Sequence, residues 1–257
     1  MHRAVLLTLL CLATPLAAHR SAAAQLGYRL YVLGVPVGDG TLDVDLAPSA
    51  YRLTLRFHTT GLVEMVAGDR VDEHTNGKFE NGRPAPLEYG SNGHLHGQDR
   101  VVDLTWRDGT PIVTAIAPPN ETEREDVPGV LLARTVNPLD AIVLLLHQAA
   151  ATGRCEGSVR AYDGRRLQLL EARTAGEDDI PRSSRSSFFG RGLRCDFSDQ
   201  TLAGYRLGSG RDDDFRVHRG TIWLAQVLPG MPRLPVRASV ETRFLGEAMI
   251  YLTAVSP

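Results

Sequence analysis

From Gln25 to the C terminus, apolar side chains recur mainly at every second position, and any fold of this chain has to satisfy that period. Tyr28-Arg29-Leu30-Tyr31-Val32-Leu33, Thr41-Leu42-Asp43-Val44-Asp45-Leu46 and Tyr51-Arg52-Leu53-Thr54-Leu55-Arg56-Phe57-His58 all alternate. Period two puts one face of an extended segment in a core and the other in water. Pro48-Ser49-Ala50 supplies a turn, so the runs read as an antiparallel meander. Gly34 and Gly38-Asp39-Gly40 interrupt the first pair, and glycine inside a strand pattern marks a bulge or a bend. The sheet is therefore expected to curl.

The pattern weakens over residues 69–79 and 83–93, where Asn76-Gly77 and Asn81-Gly82 carry turn chemistry. It recovers in a hairpin made of 101–106, Asp108-Gly109 and 112–116. Further strands are expected at 158–162 and 166–173 around Asp163-Gly164. Others follow from Cys195 through Phe197, and at 202–207, 215–227, 235–242 and 246–255. Pro118 to Gly129, Gly176 to Ser187 and Gly208 to Asp214 are polar and read as exposed loops, with Asp212-Asp213-Asp214 as a solvated tip. No fixed repeat is visible, which argues against a propeller or solenoid.

One segment breaks the β pattern. Asn137 can cap a helix, Pro138 suits its first position, Ala141 to Leu146 is continuously apolar, and Gly153 can stop it. A helix near 138–151 that is apolar nearly all round belongs against or inside a sheet. The expected fold class is all-β: a single strongly curved antiparallel sheet, an open barrel or β-spiral, with this one internal helix. About 230 residues suit a single domain of that kind.

The N terminus constrains location. His2 and Arg3 precede an apolar run from Ala4 to Leu12, and small residues follow at Ala22, Ala23 and Ala24. This is the layout of a secretory signal peptide over 1–24, with cleavage expected before Gln25 and an alternative cut after Ala18. The domain then spans 25–257. Both this run and Ala141 to Leu146 fall short of the roughly 20 apolar residues that a bilayer span requires. Cys11 follows Leu10, which does not suit a lipid-attachment site. With 28 basic against 30 acidic side chains, no generally basic surface is available, and nucleic acid is not an expected partner. Cys155 and Cys195 remain once Cys11 leaves with the leader. An even count in an oxidising compartment reads as a disulfide, the alternative being two separate buried thiols.

Several segments together resemble a known family. Cys155-Glu156-Gly157-Ser158-Val159-Arg160-Ala161-Tyr162-Asp163-Gly164-Arg165-Arg166, Gly192-Leu193-Arg194-Cys195-Asp196-Phe197 and Leu202-Ala203-Gly204-Tyr205 are similar to the bacterial "domain of unknown function 3108" family, as are Tyr28 to Gly40 and Leu234 through Leu252. The resemblance implies an exported envelope protein on a strongly curved sheet, similar to periplasmic β-spiral proteins linked to envelope integrity. It implies a structural role for the two cysteines and carries no catalytic residue.

Catalytic constellations are thin. His94 and His96 in Gly93-His94-Leu95-His96-Gly97 would face one side of an extended segment, but a metal centre would need His58, His74 or Glu88 as further ligands. The sequence has no Gly-x-Ser-x-Gly elbow, the serines of Ser183 to Ser187 fall in a polar loop, and there is no dinucleotide or phosphate-cradling glycine motif. No cofactor is expected. The reading is a non-enzymatic periplasmic protein that supports envelope integrity and binds a lipid or a protein segment on its curved sheet. The alternative is an envelope hydrolase or metal-assisted enzyme using His94 and His96. A free-thiol count on the exported protein, denatured without reductant, is expected to give none; two reactive thiols would contradict the bridge.

Overall fold

The computed structural model describes residues 22–66, 68–208, 210–242 and 245–257. Most of the expected leader, Cys11 included, lies outside these residues. The chain forms β1 (Ala22–Val32), β2 (Val35–Leu46), β3 (Ala50–Thr59), α1 (Gly61–Val66), β4 (Arg70–Glu80), β5 (Arg83–Leu95), β6 (Gln98–Arg107) and β7 (Thr110–Ala117). After two short 3-10 turns come α2 (Pro138–Thr152), β8 (Gly157–Tyr162), β9 (Leu167–Ile180), β10 (Gly190–Ala203), α3 (Arg211–Asp214), β11 (His218–Ala225), β12 (Leu234–Glu241) and β13 (Glu247–Ser256).

All thirteen strands belong to one antiparallel sheet in the order β7-β6-β5-β4-β3-β2-β1-β13-β12-β11-β10-β9-β8. The chain thus starts in the middle, runs outward to one edge, crosses through α2 to the other edge and returns. The sheet curls into a nearly closed barrel, as the glycine pattern predicts. Register shifts lie opposite Gly38 at Leu30/Tyr31, at Asn76/Gly77 and at Asp103/Leu104; each is the local extra residue that bends a strand.

Alternation sends Leu26, Leu42, Val44, Leu53, Val102, Leu104, Leu193, Leu224, Leu234 and Leu252 to the concave face, all buried. Against this lining packs α2, which buries Leu139, Val143, Leu146 and Ala149. Its start is fixed by a reciprocal cap: the Asn137 side chain accepts from the Asp140 amide at 2.9 Å, and Asp140 accepts from the Asn137 amide at 3.3 Å. Thr75 of β4 donates to Asp140 at 2.9 Å, which ties the cap to the sheet. Further along, the His147 ring stacks on Phe79 with centroids 4.5 Å apart. Gly153 closes the helix in the left-handed region, at φ 70°.

The seam between edge strands β7 and β8 is bridged by the linker after β7. Val136 pairs parallel to Ala161 through bonds of 3.0 and 2.8 Å, the Arg134 amide reaches Gly109 at 2.8 Å, and Trp106 Nε1 donates to the Thr135 carbonyl at 2.9 Å. From the other side Arg165 Nη2 donates to the carbonyls of Ala117 and Pro118. Gly164, at φ 89°, lets the β8–β9 turn press on β6: a Cβ there would lie 2.3 Å from Val102 Cγ1. Cys155 and Cys195 are joined in a disulfide that ties the end of the α2–β8 connection to β10, with Cα atoms 5.9 Å apart.

Four expectations change. Gly176 to Ser187 is not all loop, because a bulge at Thr174/Gly176 lets β9 continue to Ile180, with β10 starting at Gly190 rather than at Cys195. Asn76-Gly77 is not a turn but lies within β4 opposite a bulge whose extra residue is Leu87 of β5, and Gly77 makes room for the Tyr51 ring. Asp214 is not a solvated tip: it is 3% exposed, at the end of α3, bonded by Arg124 and Arg206. Within Pro118 to Gly129, Glu123 and Arg124 point inward to partners on other elements. Replacing both cysteines by alanine opens a 40-residue separation, worth about 3–4 kcal/mol by chain entropy. At roughly 2–4 °C per kcal/mol for a chain of this size, calorimetry should record a fall in Tm on the order of 10 °C.

Candidate functional site

One row of residues across the concave face runs Leu26, Leu42, Leu55, Glu73, Ser91, Val102, Ile116. Two polar side chains stand side by side in an otherwise apolar row. They open onto a cleft of about 770 Å³ at the end of the barrel that α2 leaves unfilled. Its sheet wall comes from β4, β5, β6, β9 and β10, and the rest of its lining from the β8–β9 turn, the linker after β7 and the loop between β10 and β11.

The β8–β9 turn supplies the centre of the cleft. Asp163 accepts from the amides of Arg165 and Arg166 at 2.9 and 2.8 Å, and its other oxygen takes Arg166 Nε at 2.9 Å. The Arg166 side chain is 35% exposed, so the guanidinium reaches the open space. Glu73 lies opposite. Burial pushes its carboxyl up to about 7, Asp163 pushes the same way, and bonds to Tyr89 and Ser91 with the field of Arg166 only partly oppose this. Asp199 on β10 takes 2.5 Å from Gln168 Nε2 on Oδ2, whereas its buried Oδ1 has no hydrogen-bond partner. Burial raises this carboxyl as well. Among the described residues no cation lies within salt-bridge range of Glu73 or Asp199.

The rim is built differently. Arg100 at the start of β6 makes a two-pronged pair with Glu123, at 2.6 and 2.8 Å, and Arg165 reaches the same carboxylate at 3.2 Å. The Arg100 bond holds Glu123 below the usual carboxylate range. Arg124 and Arg206 likewise share Asp214, at 3.2 and 3.3 Å. The linker bridges Arg124 to Arg206, which keeps the two clusters together.

The two histidines of the alternative reading are not brought together as a pair, although His96 lines the edge of the cleft. β5 ends at Leu95, and His96 sits in the β5–β6 turn at φ 54°, so the two imidazoles do not share an extended face. His94 bonds Asp99 at 2.8 Å and holds that carboxyl low, while the His96 amide donates to Asp69. His58 aligns with Arg70 in the sheet and Arg70 with His94, which leaves an arginine between the two rings. His74 lies over Gly90, and Glu88 bonds Asn76. Among the described residues no group of three or more metal-ligating side chains is assembled. Glu73, Asp163, Arg166 and Asp199 escaped sequence reading. For Glu73 the signal is the faded alternation of residues 69–79, where inward Glu73 and Thr75 are polar; Asp163, Arg166 and Asp199 lie outside that stretch.

Residues 27–253 match the model of a family described as "Protein of unknown function (DUF3108)". The fold is similar to a crystal structure titled a beta-barrel-like protein of domain of unknown function DUF1849 from Brucella abortus, at 12% identity and TM-score 0.54, covering 91% of this chain and 97% of that one. A putative lipoprotein from Parabacteroides distasonis aligns at 8% identity and TM-score 0.33, over 91% and 95% of the two chains. No curated protein matches. No helix of the described residues is long and apolar enough to cross a membrane.

A carboxyl raised in the folded state keeps its proton there to higher pH than in the unfolded chain. Stability is therefore highest below the unfolded value and falls as pH rises through the window from about 4.5 to about 7. Glu73→Gln removes this contribution. Its Tm relative to wild type should climb by on the order of 10 °C between about pH 4 and pH 8, at about 1.4 kcal/mol per pKa unit and roughly 2–4 °C per kcal/mol. An unchanged difference at both ends, measured by thermal denaturation, would show that Glu73 is not held protonated.

Proposed function

The chain belongs to the DUF3108 family, and from that premise we propose that it is an exported, non-catalytic protein of the bacterial envelope. It holds a polar ligand in the cleft and thereby contributes to envelope integrity. The observation that carries this reading is the placement of Glu73 and Ser91 in an apolar inner row, facing Asp199 and the Asp163–Arg166 pair. Burying ionisable groups costs free energy, and an apolar residue at position 73 would extend the core more cheaply. Such groups are retained where they meet something other than core.

Export is supported by the disulfide, which suits an oxidising compartment, and by the leader-like N terminus. Of the two cuts, the one after Ala18 fits β1 better: it leaves Ala24 in the core, paired with Val44, whereas a cut before Gln25 removes it. A lipid chain or an apolar protein segment finds little room on the concave face, because α2 occupies its apolar part. The ligand reading therefore moves from apolar to polar chemistry.

A second reading, an envelope hydrolase, draws on one observation: a carboxyl at about 7 is suited to general acid–base work. It places the chemistry at Glu73 rather than at His94 and His96. Both readings are tested in cells lacking the gene and challenged with detergent. Wild type is expected to restore resistance, and folded Glu73→Gln and Asp199→Asn variants to fail. Rescue by Asp199→Asn but not by Glu73→Gln would favour the hydrolase. Full rescue by both would remove the cleft from the function, and unchanged resistance on deletion would remove the envelope role.

A further inference from the structure

Charge in the cleft is sorted into two groups. Around Glu73, the three carboxyls of Glu73, Asp163 and Asp199 have, among the described residues, one guanidinium within salt-bridge range, that of Arg166, and it is bonded to Asp163. His218, opposite Asp199 on β11, is the other titratable group facing that carboxyl. On the rim the ratio inverts: Arg100 and Arg165 share Glu123, and Arg124 and Arg206 share Asp214. The first group is short of cations while the second has them in excess. The two imbalances have opposite sign and face the same space of about 770 Å³.

Such a field gives little to a simple anion or a simple cation, since each gains at one group and is repelled at the other. A molecule with both charges gains at both. The buried, partnerless Oδ1 of Asp199 is an acceptor suited to an N–H donor, and its desolvation is offset when a positive group arrives. Arg206, 41% exposed, keeps donor capacity beyond Asp214. Arginine presents a fork that matches carboxylate or phosphate oxygens.

We propose that the cleft binds a zwitterion, with an ammonium group placed against Asp199 and Glu73 and a phosphate or carboxylate against Arg206 and Arg100. The inference rests on the cleft being the binding site. A free small molecule and a phospholipid headgroup carry the same pair of charges. For the headgroup, the glycerol end would project from the mouth, since the apolar interior is filled by α2.

The test is isothermal titration of the whole exported chain with phosphoethanolamine, compared with ethylamine and with inorganic phosphate as its two halves. Phosphoethanolamine is expected to bind at least tenfold more tightly than either half. Asp199→Asn and Arg206→Ala are each expected to weaken it at least tenfold, with an unfolding transition retained. Sedimentation with vesicles of phosphatidylethanolamine and phosphatidylglycerol, set against phosphatidylglycerol alone, separates the sources. Ethanolamine-dependent sedimentation that free phosphoethanolamine competes away supports a headgroup, and tight free binding without it supports a soluble zwitterion. Equal affinity for inorganic phosphate, lost in Arg206→Ala but kept in Asp199→Asn, overturns the zwitterion and leaves the cleft as an anion site. No binding of any probe up to about 10 mM overturns the ligand class. Full detergent rescue by Asp199→Asn would then remove the cleft reading as well.

Discussion

A sheet of thirteen strands that curls on itself encloses more space than its own inward side chains fill, and something must occupy the remainder. In this chain that occupant is α2. Its buried face of Leu139, Val143 and Leu146 meets leucines and valines from both halves of the sheet, and its capped start is bonded to β4 through Thr75 and Asp140. The helix also does the topological work of carrying the chain from β7 to β8. Seam, disulfide and β8–β9 turn all take their positions from where it ends.

Because α2 fills one end of the barrel, the other end has to be furnished in another way. The chain furnishes it with charge. Asp163 is secured by two backbone amides before it meets Arg166, so the pair stands on a hairpin rather than on flexible stems. Glu123, Arg124 and Asp214 come from connections that would be free loops in a flatter sheet. Here they are drawn in by partners at 2.6–3.3 Å. These salt links close the barrel and set the shape of its mouth together.

The alternating runs of β1 to β3, the 108–109 hairpin and the capped helix were legible in the sequence because each is a local pattern with a local cause. So was the curl, through Gly38 and its neighbours. The cleft was not legible. Asp199 and Glu73 are separated by 126 positions and meet only because the sheet closes, and no spacing rule links them. The polar connections misled for a related reason. Asp212 to Asp214 has the composition of a solvated tip, and only the arrival of Arg124 and Arg206 turns Asp214 inward. The histidines misled in the opposite sense, since their spacing suggested two rings on one extended face and the backbone at His96 turns away from that geometry. What composition did record was the weak alternation of β4, which reads as a poor strand and is a good strand with Glu73 and Thr75 in the middle of its inner face.

The position of β1 between β2 and β13 has a consequence for how the molecule comes into being. A chain that emerges N terminus first can lay β1 to β7 down in order, each strand on the one before, by short-range hairpin closure. The second half, β8 to β13, can do the same. The two halves are not continuous in the sheet until β13 arrives, because β13 is the strand that pairs with β1, through pairs such as Leu26 with Val255 and Gln25 with Ser256. Until then the edge of β1 stays open to any extended segment nearby. The middle of the finished sheet is thus the last place to form, and a chain shortened by one strand at its C terminus would lose its central joint rather than its margin.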